Sequence, residues 1–371
     1  MQQNKKEVFM DINVLLEKYA DELKERPNVK MPIGCFWPPP PLRHTPITPR
    51  ENYLKFCRKE KPVFMAIDTD EFMLSPKIFP DAIARAFVVD NEGIEPKDFG
   101  GKDMFGIEWV YVEQVGGSMV RPGKPKVEDI EAWEDYITFP DIDSWPWEES
   151  GRINKDLVTR EFATNIWMMN GIFERLISFL DFEDAAVALI DEDQKEAVHR
   201  FFDKLADLYE RMIKKIKVTY DVDVLYFHDD WGSQRSSFFS LDVCREMILP
   251  YLKRVVDATH KNGMIFNFHS CGKCGNLIPA MIEAGVDVWC PQPMNDFKYL
   301  YDNYGKEITI GVTLPAPPVD ATMDEVVETC QRFLNDYTGE KGNAFPVIYE
   351  PEYHEKFLEV LYVLSREKFA E

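Results

Sequence analysis

From about residue 160 onward, short apolar runs alternate with amphipathic helical patterns five or six times. DVLYFHDD (223–230) and MIFNFHS (264–270), for example, read as strands, and the segment between them, 242–263, has helical periodicity. Repeated strand–helix units with short links indicate a parallel sheet with crossover helices. The sequence contains no GxGxxG fingerprint and no P-loop, which disfavours an open nucleotide-binding sheet. The alternation therefore predicts an α/β fold, a closed (β/α)8 TIM-type barrel.

Residues 1–150 lack this alternation and are predicted to form a helical and irregular extension together with the first elements of the barrel. An amphipathic pattern predicts a helix over 7–27. The following stretch, 31–53, is too rich in proline for a helix or a central strand, so we expect an irregular wrap over the domain. Two strands are also predicted in this region, at 62–68 and 105–114. The prediction is a single domain over 1–371, with the main strand–helix repeats in 151–371.

The net charge and the cysteine content limit which partners and which cellular compartment are expected. The chain carries 65 acidic and 43 basic side chains, a formal net charge of −22. Such a surface repels nucleic acid and anionic lipid, so neither is expected as a partner. No run of about 20 apolar residues could span a bilayer, and the N-terminal sequence lacks the features of a signal peptide. With seven cysteines, an odd number, the prediction is a cytoplasmic protein whose clustered thiols serve as ligands.

Polar residues follow four consecutive predicted strands. Because the active sites of such barrels lie at the C-terminal ends of the strands, these residues are expected at one rim. They are His228-Asp229-Asp230, His269-Ser270-Cys271, the segment from Cys290 to Asp296, and Glu350-Pro351-Glu352.

His269 and Cys271 form the candidate metal pair. In an extended strand, residues two apart point to the same side, as two ligands of one ion must. One imidazole and one thiolate suit zinc. The alternative is that His269 is a satisfied core histidine and Cys271 an apolar filler. Cys274 completes Cys-x-x-Cys, but a zinc knuckle needs a second pair, which the sequence lacks, so Cys274 is interpreted as a bystander.

Two further groups of candidates lie at the same strand ends. Asp229 and Asp230 are predicted to orient the substrate or to shuttle a proton, although a capping role at a helix terminus is an open alternative. The predicted substrate-binding residues are Trp231, Gln234, Gln292 and Asn295.

The sequence resembles the uroporphyrinogen decarboxylase superfamily. The resemblance rests on four stretches: VRPGKPKVEDIEAWEDYITFPDID, HDDWGSQRSSFFSLDVCREMILPYLKRVVDATHKNG, FNFHSCGKCGNLIPAMIEAGVDVWCPQP and KEITIGV. The resemblance implies a distorted (β/α)8 barrel. Decarboxylases of this superfamily have an arginine-rich N-terminal signature that grips substrate carboxylates, whereas this chain offers only Arg43, Arg50 and Arg58 there.

The sequence also resembles another branch of this superfamily, the cobamide-dependent methyltransferases. It is similar there to methylcobamide:coenzyme M methyltransferases. These carry His-x-Cys and a distant cysteine as zinc ligands. His269 and Cys271 match the first two, but no cysteine stands near 350, so the resemblance makes Glu350 the predicted third ligand, with Cys290 as its competitor. A glutamate ligand suits activation of an oxygen better than binding of a soft thiolate, so coenzyme M is not singled out as acceptor.

The hypothesis is a zinc-dependent methyltransferase that moves a methyl group between a small methoxy, methylthio or methylamine substrate and a corrinoid protein. The chain shows no corrinoid-binding domain of its own, so the cobalamin is expected on a partner protein, and a homodimer is compatible with the sequence. The alternatives are a metal-independent porphyrinogen decarboxylase and a non-catalytic ligand-binding relative.

Overall fold

In the computed structural model, which describes residues 11–121, 123 and 125–370, the chain is organised around a curved parallel sheet. The strands of the described residues are β1 (Glu71–Leu74), β2 (Gly101–Lys102), β3 (Glu108–Val112), β4 (Gly117–Val120), β5 (Ala163–Met168), β6 (Val224–His228), β7 (Ile265–His269), β8 (Val288–Trp289), β9 (Thr309–Thr313), β10 (Thr338–Gly339), β11 (Gly342–Asn343) and β12 (Phe345–Val347).

The α-helices of the same residues mostly follow the strands along the chain. They are α1 (Ile12–Lys18), α2 (Pro49–Cys57), α3 (Pro80–Ala84), α4 (Trp133–Tyr136), α5 (Trp147–Asn154), α6 (Ile172–Leu180), α7 (Phe182–Ala188), α8 (Lys195–Tyr220), α9 (Leu241–Val243), α10 (Leu249–Lys261), α11 (Ile278–Ala284), α12 (Phe297–Tyr304), α13 (Met323–Tyr337) and α14 (Phe357–Ala370). A π-helical segment, Cys244–Ile248, joins α9 to α10.

The main sheet has the strand order β1-β5-β6-β7-β8-β9-β12, and each neighbouring pair is parallel. The strand residues that face the helices are mostly apolar because that face is covered. On β6, Leu225 and Phe227 are fully buried on the side of the helices, while Tyr226 and His228 point to the interior of the curved sheet. The alternation of side chains thus separates a packed outer face from an inner face that is free to build a site.

The two edges of this sheet approach each other. β12 contacts the turn Asp68–Asp70 that precedes β1, and the Ile348 amide donates to Asp68 Oδ1 at 3.4 Å. The α/β fold with a TIM-barrel-like sheet is confirmed. Among the described residues, seven strands pair in this sheet rather than the eight expected from sequence.

One predicted strand, at 62–68, is wrong. The amides of Val63 and Met65 donate to side chains, Asn52 Oδ1 at 2.9 Å and Ser365 Oγ at 2.8 Å. Because these N–H groups are already paired, the segment joins no sheet, and the strand begins only at Glu71.

The N-terminal part matches the expectation of an irregular extension. The helix predicted over 7–27 is shorter, since α1 begins after Asp11, whose carboxylate accepts from the Asn13 amide, and ends at Lys18; residues 1–10 lie outside the described part. The proline-rich stretch predicted over 31–53 is irregular as far as residue 48, but residues 49–53 form the start of α2, where Thr48 caps the helix and Pro49 occupies its first turn. The predicted strand at 105–114 exists as β3, in a separate antiparallel sheet with β2 and β4. Within the described ranges, no helix is both long and apolar enough to cross a membrane.

Candidate active site

Two neighbouring strand ends place two ligand-type pairs side by side. His228 is the register partner of His269, so β6 and β7 end level with each other. Asp230 and Cys271 each follow their histidine by two residues and therefore point to the same side. One ligand atom from each of the four residues lies within 4.8 Å of the other three. We call these four residues the metal cluster.

The distances inside the metal cluster suit a single ion. His269 Nε2 lies 3.4 Å from Cys271 Sγ, and His228 Nε2 lies 3.9 Å from Asp230 Oδ1. The two imidazole rings are stacked with centroids 4.9 Å apart. Two imidazole nitrogens, a thiolate and a carboxylate oxygen are ligands that zinc accepts in tetrahedral sites. The donor set therefore fits zinc by its chemistry.

A carboxylate from α6 orients one of the imidazoles. Glu174 Oε2 lies 2.7 Å from His228 Nδ1, which leaves Nε2 directed at the cluster. Arg85 Nη1 donates to Glu174 Oε1 at 2.9 Å. Burial alone would raise the pKa of Glu174, but the charges of His228 and Arg85 hold it well below its usual range. A carboxylate behind a histidine is the usual support of a metal ligand, because it fixes the ring and raises its basicity.

The other imidazole is neutral at physiological pH. Burial lowers the pKa of His269 to about 4, and the positive charge of His228 adds to this shift. A neutral imidazole is the form that binds metal. Burial raises the pKa of the Cys271 thiol, so a bound cation would have to displace its proton.

The loop after β7 is held by backbone and amide contacts. Gln292 Nε2 donates to Cys271 Sγ at 3.5 Å, and its Oε1 accepts from the Gly272 amide at 2.7 Å. Gly272 has φ +90°, and a Cβ there would lie 2.2 Å from the backbone of Gly232. Only glycine therefore allows the two strand-end loops to approach so closely.

A cavity of about 300 Å³ opens beside the metal cluster. His228, His269 and Cys271 line one side of it. Aromatic side chains line much of the rest, namely Phe36, Trp37, Phe87, Trp167, Tyr226 and Tyr349. The Trp167 and Tyr226 rings, register partners on β5 and β6, stack 4.2 Å apart at 7°. The wall is thus rigid and apolar, which suits a small organic molecule.

Two acidic residues, Asp68 and Glu71, line the cavity, and a third, Asp70, lies between them in the chain. Burial raises the pKa of Asp68 to about 7 and the pKa values of Asp70 and Glu71 to about 8. These carboxyls therefore resist ionisation at neutral pH unless a positive group is near.

The raised pKa of Asp70 predicts a pH-dependent stability. A carboxyl whose pKa is higher in the folded than in the unfolded chain contributes stability that is complete below about pH 4 and is lost as the pH rises through about 8. We expect the urea midpoint to fall between about pH 5 and about pH 8.5, and to fall less in Asp70→Asn, which has no proton to lose. Parallel pH curves for the two proteins would contradict this assignment.

Two of the residues predicted to be functional are part of the packing. Asp229 is fully buried, and its carboxylate accepts from the amides of Ile172, Phe173 and Glu174 at 2.8–3.1 Å. It also accepts from the Trp231 indole N–H at 2.8 Å. Asp229 therefore caps the N-terminus of α6, where backbone amides need acceptors. This is the alternative to the predicted proton shuttle. Trp231 is fully buried and does not line the cavity.

The remaining predicted binding residues divide in a similar way. Gln234 is exposed and does not line the cavity. Asn295 is buried and ties loops together through the Gly272 carbonyl and the Gly275 amide, both at 2.9 Å. Gln292 alone of this group contacts a metal-cluster residue.

The predicted third ligands also lie elsewhere. Glu350 and Cys290 are not among the four residues of the metal cluster. Cys290 lines the cavity, with its Sγ directed at Gly311 on the neighbouring strand β9. Cys274 is fully buried, with Sγ 3.5 Å from Ser270 Oγ, so it stands apart from the cluster as expected.

The sequence did carry a signal for the two cluster members that were not predicted to bind metal. His228-x-Asp230 repeats the spacing of His269-x-Cys271, each pair following one of two successive predicted strands. Glu174 and Arg85 gave no comparable signal, because each lies far along the chain from its partner.

The chain is similar to known proteins in part of its sequence and in its fold. Residues 167–345 match the family model for uroporphyrinogen decarboxylase (URO-D). A solved structure described as a methyltransferase from Methanosarcina mazei is similar with a TM-score of 0.57 at 13% identity, covering 88% of this chain and 100% of that one. A xylose isomerase-like TIM barrel protein from Mycobacterium smegmatis, solved with magnesium, has a TM-score of 0.31 at 10% identity, over 62% of this chain and 80% of that one, and carries no argument. No curated protein matches the chain.

The family match spans β6 to β9 and contains all four residues of the metal cluster. At 13% identity the methyltransferase structure shows the fold alone. Residues 167–345, just under half of the chain, are similar to the uroporphyrinogen decarboxylase family, in line with the sequence resemblance.

Proposed function

We propose that this protein is a zinc-dependent methyltransferase that moves a methyl group between a small methylated molecule and the corrinoid of a partner protein. The observation that carries the proposal is the metal cluster, which gathers two imidazoles, a thiol and a carboxylate at the rim of a small-molecule cavity. The solved structure described as a methyltransferase, whose whole length this chain covers, supports the choice of reaction.

In this proposal His269, Cys271, His228 and Asp230 hold the ion. Zinc, when bound, supplies Lewis acidity to the heteroatom that carries the methyl group. Glu174 keeps His228 in the ligand orientation through the 2.7 Å contact to Nδ1. Gln292 steadies Cys271 through its amide. The aromatic wall binds the apolar part of the substrate and excludes water from the reacting atoms.

Asp230 is the remaining candidate for proton transfer. Its Oδ1 accepts from the Cys271 amide at 2.7 Å, so the carboxylate is fixed at the cluster. With zinc bound and a substrate heteroatom at the cluster, Asp230 would be placed to exchange a proton with that atom. This keeps the role predicted for Asp230 and drops that of Asp229.

The cavity lining disfavours the decarboxylase alternative. Among the described residues that line it, none is lysine or arginine, while Asp68 and Glu71 are acidic. A porphyrinogen carries several carboxylates, and each would need a cationic or amide partner. The cytoplasmic location, the partner corrinoid protein and a homodimer stay predictions.

Two measurements on the purified protein test the proposal together. Metal analysis is expected to give about one zinc per chain, since the cluster offers four ligands. With cob(I)alamin and a methyl donor, the visible spectrum is expected to change to that of methylcobalamin, and a chelator should stop this change. Absence of stoichiometric zinc, or porphyrinogen decarboxylation that persists with chelator, would refute it.

A further inference from the structure

The floor of the cavity is defined here as Glu71 and Asn165, which line it, together with Asn267 behind them, and it is rich in unpaired acceptors. Glu71 Oε2, Asn165 Oδ1 and Asn267 Oδ1 are buried atoms without a hydrogen-bond partner among the described residues. Glu71 and Asn165 line the cavity, and Asn165 is only 5% exposed. Asn267 Nδ2 donates to Glu71 Oε1 at 3.2 Å, so the three side chains form one group. The Tyr53 hydroxyl, a buried group that likewise has no partner in the described ranges, lies beside Glu71 and can serve one of these acceptors. A buried acceptor left unpaired is costly, so the others point to a donor brought by a ligand.

The position of the floor relative to the metal cluster follows from the strands. Asn267 precedes His269 by two residues on β7, so both point inward and lie about 7 Å apart along the strand. On β5, Asn165 precedes Trp167 in the same way. A ligand that touches the floor can therefore reach the cluster if it carries its reactive atom at the far end.

The charge around the floor selects the kind of donor. Asp68 also lines the cavity, and among the described lining residues the only basic side chains are the two imidazoles of the metal cluster. An anionic group would meet carboxyls and carbonyl oxygens there. A protonated amine offers several N–H donors together with a positive charge, which matches carboxylate and amide acceptors.

We infer that the substrate is a cationic amine whose ammonium group binds to Glu71 and Asn165 while its methylated heteroatom faces the metal cluster. The assignment of the far end as the methylated end rests on the proposed function. The preference of the floor for an ammonium group rests on the cavity alone. The raised pKa of Glu71 is consistent with this, since a bound cation would restore the ionised carboxylate.

Three probes that share a 4-methoxyphenyl ring and carry a positive, a neutral or a negative group opposite the ether test the inference. They are 4-methoxybenzylamine, 4-methoxybenzyl alcohol and 4-methoxybenzoate, titrated calorimetrically into the metal-loaded full chain near neutral pH. We expect the amine to bind about 10- to 100-fold more tightly than the alcohol, which is the range of one charge-assisted hydrogen bond, and the benzoate most weakly. Equal affinities, tighter binding of the alcohol or the benzoate, or no binding of the amine would overturn it.

Two variants locate the preference. Glu71→Gln keeps the size of the side chain but removes its charge, and Asn165→Leu removes an acceptor at similar volume. Each is expected to reduce amine affinity by about tenfold or more and to reduce alcohol affinity by a smaller factor, because a neutral hydroxyl forms weaker hydrogen bonds than an ammonium group. Zinc content, which involves neither residue, and the thermal transition report whether the variants are folded. An amine preference that survives in both folded variants would place it elsewhere and refute the floor as the site.

Failure of this inference is distinguishable from failure of the proposed function. If cob(I)alamin is methylated by neutral donors as well as by amines, the floor assignment is wrong and the methyltransferase proposal stands. If the amine binds as expected but zinc and methyl transfer are both absent, the floor is a cation site in a protein with another activity.

Discussion

Replacing Cys271 with alanine is expected to lower zinc affinity by more than about 100-fold and to abolish methyl transfer. A residue that merely supports a metal ligand is worth about 10- to 100-fold in affinity, so loss of a ligand should cost more. Cys271 has no substitute in the metal cluster, because its neighbours there are two imidazoles and a carboxylate. Competition with a chromophoric chelator gives the affinity, and the cob(I)alamin spectrum gives the activity.

Cys290→Ser is the matched control for this experiment. Cys290 lines the same cavity but lies outside the metal cluster, so zinc affinity should change by less than about threefold. A comparable loss in Cys290→Ser would make Cys290 a ligand, and an unchanged affinity in Cys271→Ala would eliminate the metal cluster.

A second pair of variants tests whether Asp230 or Glu350 is a ligand of the metal. Asp230→Asn is expected to weaken zinc binding, whereas Glu350→Gln is expected to leave it unchanged, because only Asp230 shares the 4.8 Å neighbourhood. The reverse result would restore the sequence-based assignment of Glu350.

The fold was predictable because its signal is local. The apolar runs that became β6 and β7 are recognisable one strand at a time, and the helices between them have a regular period. The strand predicted at 62–68 failed for a non-local reason, since its amides pair with Asn52 and Ser365, the latter about 300 positions away in the chain. Composition cannot report such a pairing.

The site was predictable only in part. His269 and Cys271 can be recognised from their spacing at the end of one strand. The contact of His228 with Glu174 cannot, because it depends on how α6 packs against β6. Asp229 illustrates the opposite error. Its position directly after a strand is typical of a catalytic acid. In the structure, however, its carboxylate oxygens accept hydrogen bonds from the three amides at the start of α6. The position of a residue after a strand predicts that it lies at the rim of the barrel. It does not predict whether its side chain points into the cavity or into the packing.

The second large effect is expected from a buried ion pair on the same helix. Arg175 on α6 is fully buried, and its guanidinium donates to Asp103 Oδ2 at 2.7 Å and to Asp81 Oδ1. Both carboxylates are themselves buried, and they come from the segment 80–103 that packs against α6. Arg175 thus joins that segment to the helix whose Glu174 supports the metal cluster.

Arg175→Leu is expected to reduce the free energy of unfolding by about 3–5 kcal/mol, because it leaves two buried carboxylates without their cation. Arg211→Leu is the control, since Arg211 pairs with Asp143 on the surface and should cost no more than about 1 kcal/mol. Urea unfolding measures both. Similar losses in the two variants would show that the Arg175 pair contributes no more than a surface contact.

The pH dependence of this loss checks its cause. Burial raises the pKa of Asp81, and the charge of Arg175 opposes that rise. Without Arg175, the pKa of Asp81 in the folded chain should rise further, and a carboxyl with a raised folded-state pKa stabilises at low pH and loses that contribution as the pH increases. The destabilisation by Arg175→Leu should therefore be smaller at about pH 5 than at about pH 8. A loss that is the same at both pH values would mean that missing packing, rather than the uncompensated carboxylates, accounts for it.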